Sequence, residues 1–233
     1  PATWRIRDHI YPDQKIPNLG EYFLNSEDEK YLEAWNDLVE NLKQDDLPGF
    51  PIWAFAFQQE PNPNSSDPKW KNDFLAKNRK FYIENKSFID RWLKKHEVLS
   101  FPHSRQKFEW QARKHHPKRI NPGRDRTIRD LVCQLRPSGI RVKPPSYLPA
   151  LVAITQTSVI GPEARECTAN SRRYRKLTPV EAGVLQGIPK RIYKRSARSM
   201  RAVVPDKDAY KQLGNAVNVK LVREVARYLL GQK

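Results

Sequence analysis

The stretch KLTPVEAGVLQGIP, Lys176 to Pro189, describes a short helix with both ends specified. Thr178 is a good N-cap, and Pro179 suits the first helical position, where no N–H is needed. Glu181 follows the cap by three residues, as in a capping box. Gly187 then stands at the C-terminal stop position, with a proline just beyond it. A helix of barely two turns with such defined ends indicates that something other than helix propensity fixes the sequence here.

The bulk composition points to a polyanionic partner. The 233 residues carry a formal net charge of +17, with 38% apolar residues, 30% charged residues and 19 prolines. A chain of this length can bury a core in one or two domains, and the prolines predict long irregular connections. So large a positive charge repels itself in a compact state, which indicates that a polyanion neutralises part of it. Nucleic acid is the leading candidate for that partner. The sequence offers no long apolar span or strongly basic amphipathic helix for a membrane surface.

Cysteine and histidine usage predicts no metal site. Cys133 and Cys167 do not make a disulfide framework and fit a reducing, cytoplasmic location, and the sequence PATWRIRDHI has no secretory signal. Because no CxxC occurs, a structural zinc site is not expected. The adjacent pair His115 and His116 is interpreted as exposed basic loop, and Cys133, inside an apolar run, as a small buried residue.

Hydrophobic spacing predicts helices in the N-terminal half of the chain. Ser26 and Glu29 form a capping-box pattern at the start of a helix over 26–42. Trp35 and Trp92 lie on apolar helical faces, which favours core positions over stacking on bases. Further helices are predicted over 74–82 and 87–95.

The rest of the chain combines short strands with basic runs. Strands are predicted over 131–135 and 150–161, with a turn-rich arm over 136–149 between them and a buried extended segment over 47–57. We therefore expect an α+β fold: a mixed small domain with irregular loops and short strands, plus a C-terminal helix. In QLGNAVNV, residues 212–219, Gly214 predicts a tight turn and Asn215 an amide just before a helix, which suits a small polar ligand.

KLTPVEAGVLQGIP followed by AYKQLGNAVNV resembles the last two sequence motifs of the DNA (cytosine-5) methyltransferases. The segment QLRPSGIRVKPPSYLPALVAITQTSVIG is similar to the end of the target-recognition region in a bacterial branch of that family, and FPIWAFAF and SRQKFEWQA to its earlier parts. The resemblance implies residues 1–190 as a target-recognition domain. It implies residues 191–233 as a basic linker and C-terminal motif that returns to a catalytic α/β domain.

The resemblance also shows what these residues lack. The family's Gly-rich cofactor loop, Pro-Cys nucleophile and Glu-Asn-Val acid motif lie upstream of the reading domain, and the sequence contains no G-x-G. Cys133 follows Val132 and Cys167 follows Glu166, so neither is a Pro-Cys nucleophile. We therefore expect no catalytic residue here, and interpret the chain as the C-terminal part or a split subunit of such an enzyme, inactive alone.

The implied reaction transfers a methyl group from S-adenosylmethionine to carbon 5 of a cytosine flipped out of duplex DNA. By the family pattern, Asn215 and Ala216 line the cofactor pocket, which an N-terminal catalytic half or subunit mostly forms. The C-terminal helix, with its apolar Leu221, Val222 and Val225, packs on that half, so this chain alone should not bury it in a complete core. The expected DNA contacts are Arg105, Lys107, Arg113, Arg136, Ser138, Arg141, Lys143, Thr155, Gln156 and Thr157.

Two alternatives stay open at this point. A stand-alone DNA-binding module would keep the reading domain without the chemistry, and a Pro-Cys and a Gly-rich loop in a neighbouring frame would argue against it. An RNA-binding protein is also compatible, because charge alone does not separate the two nucleic acids.

Overall fold

The computed structural model describes residues 4–43, 47–60, 67–112, 126–151, 158–188 and 204–231. Within these ranges the chain forms six α-helices and one six-stranded sheet, which confirms a combination of helices with a mixed sheet. The helices are α1 (Ser26–Asn41), α2 (Lys69–Glu84), α3 (Lys86–His96), α4 (Pro179–Leu185), α5 (Asp206–Asn215) and α6 (Val219–Leu229). The strands are β1 (Ile52–Trp53), β2 (Lys107–Trp110), β3 (Val132–Arg136), β4 (Gly139–Lys143), β5 (Ser158–Ile160) and β6 (Arg175–Lys176).

The sheet has the strand order β1-β2-β4-β3-β5-β6. Strands β2 and β4 run parallel, and the other neighbouring pairs are antiparallel. In the centre, Cys133 lies opposite Val142 and Gln134 opposite Arg141. Because successive side chains point to opposite faces, this register separates an apolar face from a face that carries polar residues.

The main core lies between the apolar face of the sheet and helices α1 to α3. Trp35 and Trp92 are fully buried there, which confirms the sequence-based prediction. Each indole N–H is satisfied: that of Trp35 donates to the Arg105 carbonyl at 2.9 Å and that of Trp92 to the Ala34 carbonyl at 2.7 Å. The Trp35 ring also stacks on Phe108 of β2 with centroids 4.7 Å apart, so α1 is fastened directly to the sheet.

A second core covers the other face of the sheet at its β5–β6 end. The N-terminal segment winds through three 3₁₀ turns and places Ile6 and Ile10 against Val132 and Ile160. The Ile6 N–H donates to the Pro145 carbonyl at 2.8 Å. The segment is therefore an integral layer of the fold.

Several local predictions need correction. Asn25, not Ser26, caps α1, since its side chain accepts from the Asp28 N–H at 2.7 Å. The extended segment over 47–57 contains only the two-residue strand β1, followed by a 3₁₀ turn over Ala54–Ala56. The arm over 136–149 includes a full strand, β4, because the alternation of GIRVK outweighs the prolines that follow it.

Candidate nucleic-acid interface

The face of the sheet opposite helices α1 to α3 changes from apolar to polar across the strands. At the β5–β6 end it is apolar and covered by the second core. Toward β2 and β4 the side chains on this face are polar or charged, and four of the six are cations. We call these residues the polar half-face: Lys107, Glu109, Gln134, Arg136, Arg141 and Lys143.

The β3–β4 hairpin shapes one edge of the polar half-face. Arg136 pairs with Gly139, so Pro137 and Ser138 form a two-residue turn with Ser138 exposed at its tip. Gly139 has φ +138°, and a Cβ on it would lie 2.8 Å from the Cβ of Lys107. Only glycine permits both the backbone angle and this close approach. The hairpin therefore brings Arg136 and Ser138 beside Lys107.

The cations of the polar half-face differ in how firmly they are held. The Arg141 Nε donates to Glu109 Oε2 at 2.7 Å, so this pair is fixed across β4 and β2. The Lys143 Nζ lies 4.3 Å from the centroid of the Tyr147 ring. Burial, helped by the positive charge of Arg141, lowers the pKa of Lys143. An added anion would therefore relieve a charge that its surroundings disfavour.

Arg105, also predicted to contact DNA, is engaged in contacts with the protein. Its Nε lies 3.4 Å from Asp28 Oδ1, and its Nη1 donates to the Arg136 carbonyl at 3.2 Å. The guanidinium thus connects α1 to the hairpin beside the polar half-face. The other predicted contacts, Arg113, Thr155, Gln156 and Thr157, lie outside the described residues.

Helix α4 has the predicted ends. The Thr178 hydroxyl accepts from the Glu181 N–H at 3.2 Å, and the Glu181 carboxylate accepts from the Thr178 N–H at 2.8 Å. Pro179 is the first helical residue, and Gly187 follows the helix with φ +87°. The capping box and the glycine stop read from the sequence are both confirmed.

A network of buried charges, which sequence reasoning missed, holds the start of α4. Arg175 donates to both oxygens of Glu181 at 2.9 and 2.8 Å and to Asp13 at 2.9 Å, while Arg165 donates to Asp13 at 3.0 Å. The side chains are at most 1% exposed. Burial lowers the pKa of Arg165, but for Arg175 the hydrogen bonds that it donates to Glu181 outweigh burial and raise its pKa. We call Asp13, Arg165, Arg175 and Glu181 the buried charge network.

The two C-terminal motifs meet in space. The Gln186 side chain, at the end of α4, donates to the Leu213 carbonyl of α5 at 3.1 Å. The Asn218 amide donates to the Leu185 carbonyl at 3.1 Å, and its oxygen caps α6 by accepting from the Leu221 N–H. The end of α4 therefore positions both the end of α5 and the start of α6.

The prediction for Gly214 and Asn215 was wrong in its local structure. Both residues belong to the last turn of α5, and Asn218 rather than Asn215 precedes the next helix. Asn215 and Ala216 are nonetheless exposed, at the α5–α6 junction beside α4. An amide and a small side chain are thus available to a ligand on a surface that these helices leave open.

Helix α6 presents a large exposed apolar surface. None of its residues is buried, although its apolar side chains lie along one face as predicted. This surface, which we call the α6 face, begins next to Asn215 and Ala216. Its exposed apolar members are Val217, Val219, Leu221, Val222, Val225, Tyr228, Leu229 and Leu230.

Neither cysteine is arranged as a nucleophile. Cys133 is completely buried in the sheet, and burial raises the pKa of its thiol. The Cys167 thiol donates to the Pro162 carbonyl at 3.1 Å. In the described part of the chain, no group of three His, Cys, Asp or Glu side chains is placed to hold a metal ion. No described helix combines the length and apolar character needed to cross a bilayer.

The C-5 cytosine-specific DNA methylase family model matches residues 33–231, so the chain belongs to this family. A relative, the Type II methyltransferase M.AluI of Cellulosimicrobium cellulans, is 39% identical over 162 residues, which cover 69% of this chain and 26% of the relative. The chain therefore spans about a quarter of that relative's length. No significant match is found among solved structures.

Proposed function

We propose that this chain is the DNA-recognition part of a DNA (cytosine-5) methyltransferase. The observation that carries the proposal is the open surface at the α4–α5–α6 junction. Asn215 and Ala216 lie exposed beside the α6 face, and so large an apolar surface calls for a covering partner. The catalytic half or subunit of the enzyme is that partner, and it supplies the nucleophilic thiolate.

Duplex DNA would lie on the polar half-face. Lys107, Arg136 and Lys143 can neutralise phosphates, and Ser138 at the hairpin tip can reach base edges. Arg141 would contact the DNA while it stays paired with Glu109, and Arg105 contributes charge while it stays bound to Asp28. The proposed contacts also include the predicted residues outside the described ranges: Arg113, Thr155, Gln156 and Thr157.

S-adenosylmethionine would supply the methyl group. Of the cofactor pocket, this chain contributes Asn215 and Ala216, whose exposure fits a site completed by another part of the enzyme. Because Asn215 ends α5 and α5 is bonded to α4 through Gln186, the position of that amide depends on the conformation of α4. Closing the α6 face would also exclude water from this side of the pocket.

DNA binding tests the first half of the proposal. At low ionic strength the chain should bind duplex DNA, and affinity should fall steeply with salt. Arg136→Ala should weaken binding and reduce the slope of log K against log salt by about 0.9, as expected for one lost phosphate contact. Lys94→Ala, an exposed cation on α3 behind the sheet, is the matched control. No duplex binding at low salt, or tighter binding of structured RNA in competition, would refute the assignment.

Methyl transfer tests the second half. The chain alone should not transfer methyl groups from S-adenosylmethionine to DNA, whereas its mixture with the catalytic half should. Activity of the chain alone would contradict the absence of a nucleophile. A folded mixture that binds DNA without methylating it would favour a stand-alone binding module.

A further inference from the structure

A row of aromatic rings borders the polar half-face at the β1 edge of the sheet. Trp53 of β1 pairs with Lys107 of β2, so the two side chains share the face on which the polar half-face lies. From Trp53 the rings continue in both directions by direct contact. We call this row the aromatic strip: Trp70, Phe74, Trp53, Phe55 and His103.

The ring contacts along the aromatic strip are continuous. Trp70 meets Phe74 edge-on at 6.2 Å between centroids, and Phe74 meets Trp53 at 5.4 Å. Trp53 stacks on Phe55 at 5.6 Å, and Phe55 meets His103 at 4.3 Å. All five rings are half-buried or exposed, and Trp70 is 57% exposed. They are therefore open to a ligand, unlike the tryptophans of the main core.

Cations lie along the aromatic strip. The Lys107 Nζ is 5.7 Å from the Trp53 centroid and 5.6 Å from that of Phe55, and the Lys77 Nζ is 5.6 Å from that of Phe74. Helix α2, which carries Trp70 and Phe74, has five cationic side chains against two carboxylates. Burial and the charge of Lys107 lower the pKa of His103, which favours the neutral imidazole at this end of the strip. Rings interleaved with cations match a ligand that alternates flat bases with phosphates.

We infer that the aromatic strip binds unpaired nucleotides of DNA next to a duplex on the polar half-face. Paired bases present only their edges to a protein, whereas unpaired bases expose the faces that stack on aromatic rings. Lys107 is part of the polar half-face and its Nζ lies over two rings of the aromatic strip, so a strand leaving the duplex would pass directly onto the rings. The inference rests on the proposed function only for the neighbouring duplex; the aromatic strip would bind unpaired DNA in its absence.

The experiment compares three labelled DNAs by fluorescence anisotropy with the full chain: a blunt duplex, the same duplex with a short oligothymidine overhang, and the oligothymidine alone. The duplex with the overhang should bind more tightly than the blunt duplex. One of the two possible overhangs, at the 5′ end or at the 3′ end, should be favoured over the other. Trp70→Ala should weaken overhang and oligothymidine binding about tenfold, the effect of one lost base–aromatic stack, and leave blunt duplex unchanged. Trp70→Phe should restore most of the loss.

Controls separate this inference from the duplex proposal. Trp4→Ala removes another exposed tryptophan, which stacks on His9 instead, and should leave all three affinities unchanged. Arg136→Ala should weaken both duplexes equally and preserve the gain from the overhang. Equal binding of blunt and overhanging duplexes would overturn the inference even if duplex binding itself is normal. Tighter binding of an oligouridine overhang would overturn the assignment to DNA.

Discussion

Removing the Glu181 carboxylate should destabilise the chain far more than removing a surface carboxylate. Glu181→Ala deprives the buried Arg175 guanidinium of two hydrogen bonds to a carboxylate and leaves it with the Asp13 carboxylate and the carbonyls of Tyr11 and Lys176. The N–H groups of Tyr11 and Thr178 also lose their acceptor. Breaking a buried ion pair from one side costs about 3–5 kcal/mol, because the remaining charge stays away from water. With total stabilities of about 5–15 kcal/mol, about 4 kcal/mol is a large fraction.

Urea unfolding, followed by far-UV circular dichroism, measures this loss. The matched control is Glu224→Ala, which removes the partner of Arg227 in a solvent-exposed pair at 3.3 Å and should cost less than about 1 kcal/mol. Glu181→Gln keeps an acceptor oxygen but loses the charge. We expect its free energy of unfolding to fall by an amount between those for Glu181→Ala and Glu224→Ala. It serves as the measurable variant if Glu181→Ala does not accumulate as folded protein.

The double variant Arg175→Ala, Glu181→Ala provides the decisive comparison. If the cost comes from an uncompensated buried cation, removing the cation as well should cost clearly less than the sum of the two single losses. Additive losses, or a loss from Glu181→Ala as small as that from Glu224→Ala, would refute the reasoning. The network would then be a packing feature whose charges contribute little.

Three further outcomes follow from the structure. Leu229→Ser on the α6 face should leave the stability of the chain unchanged in urea but weaken its pull-down by the catalytic half, since the side chain is 75% exposed here. Hydrogen bonds from His96 and Lys95 outweigh burial and lower the pKa of Asp37. Asp37→Asn should therefore cost about 1 kcal/mol of stability near neutral pH, and progressively less as the pH falls through that lowered pKa, because the carboxylate is then protonated in the original chain as well. Thermal melts of the original chain and the variant at several pH values measure this difference. A thiol reagent should label Cys167 in the native state and Cys133 only after unfolding, because burial raises the pKa of the Cys133 thiol; equal labelling rates would contradict this.

The sequence predicted those features that depend on residues only a few positions apart. The α4 capping box joins residues three apart, and the core positions of Trp35 and Trp92 follow from helical spacing, so a short window contains the information. The strand β4 was missed because flanking prolines dominate its window, although pairing on both sides with β2 and β3 stabilises it. Its alternating sequence was the available signal.

Other features depend on contacts that no short window contains. Arg175 and Asp13 of the buried charge network are 162 positions apart, and nothing near Asp13 marks it as buried. Gly214 suggested a turn, but Leu213 is buried against the neighbouring helices and the last turn of α5 stays helical in spite of the glycine. Tertiary packing overrides a propensity of about 1 kcal/mol in such a case.

The start of α4 is held by the protein's own core, whereas its end holds the start of α6. The buried charge network secures its start to the N-terminal layer, while the Asn218 amide, bonded to Leu185, secures the start of α6 to its end. Gly187 makes this approach possible, since a Cβ there would lie 3.3 Å from the Asn218 oxygen and the φ of +87° excludes most side chains. Beyond that anchor, α6 has no buried residue, and a helix of 11 residues without packing is marginally stable in water. The chain therefore sets where α6 begins, whereas the stability of the helix must come from whatever covers the α6 face.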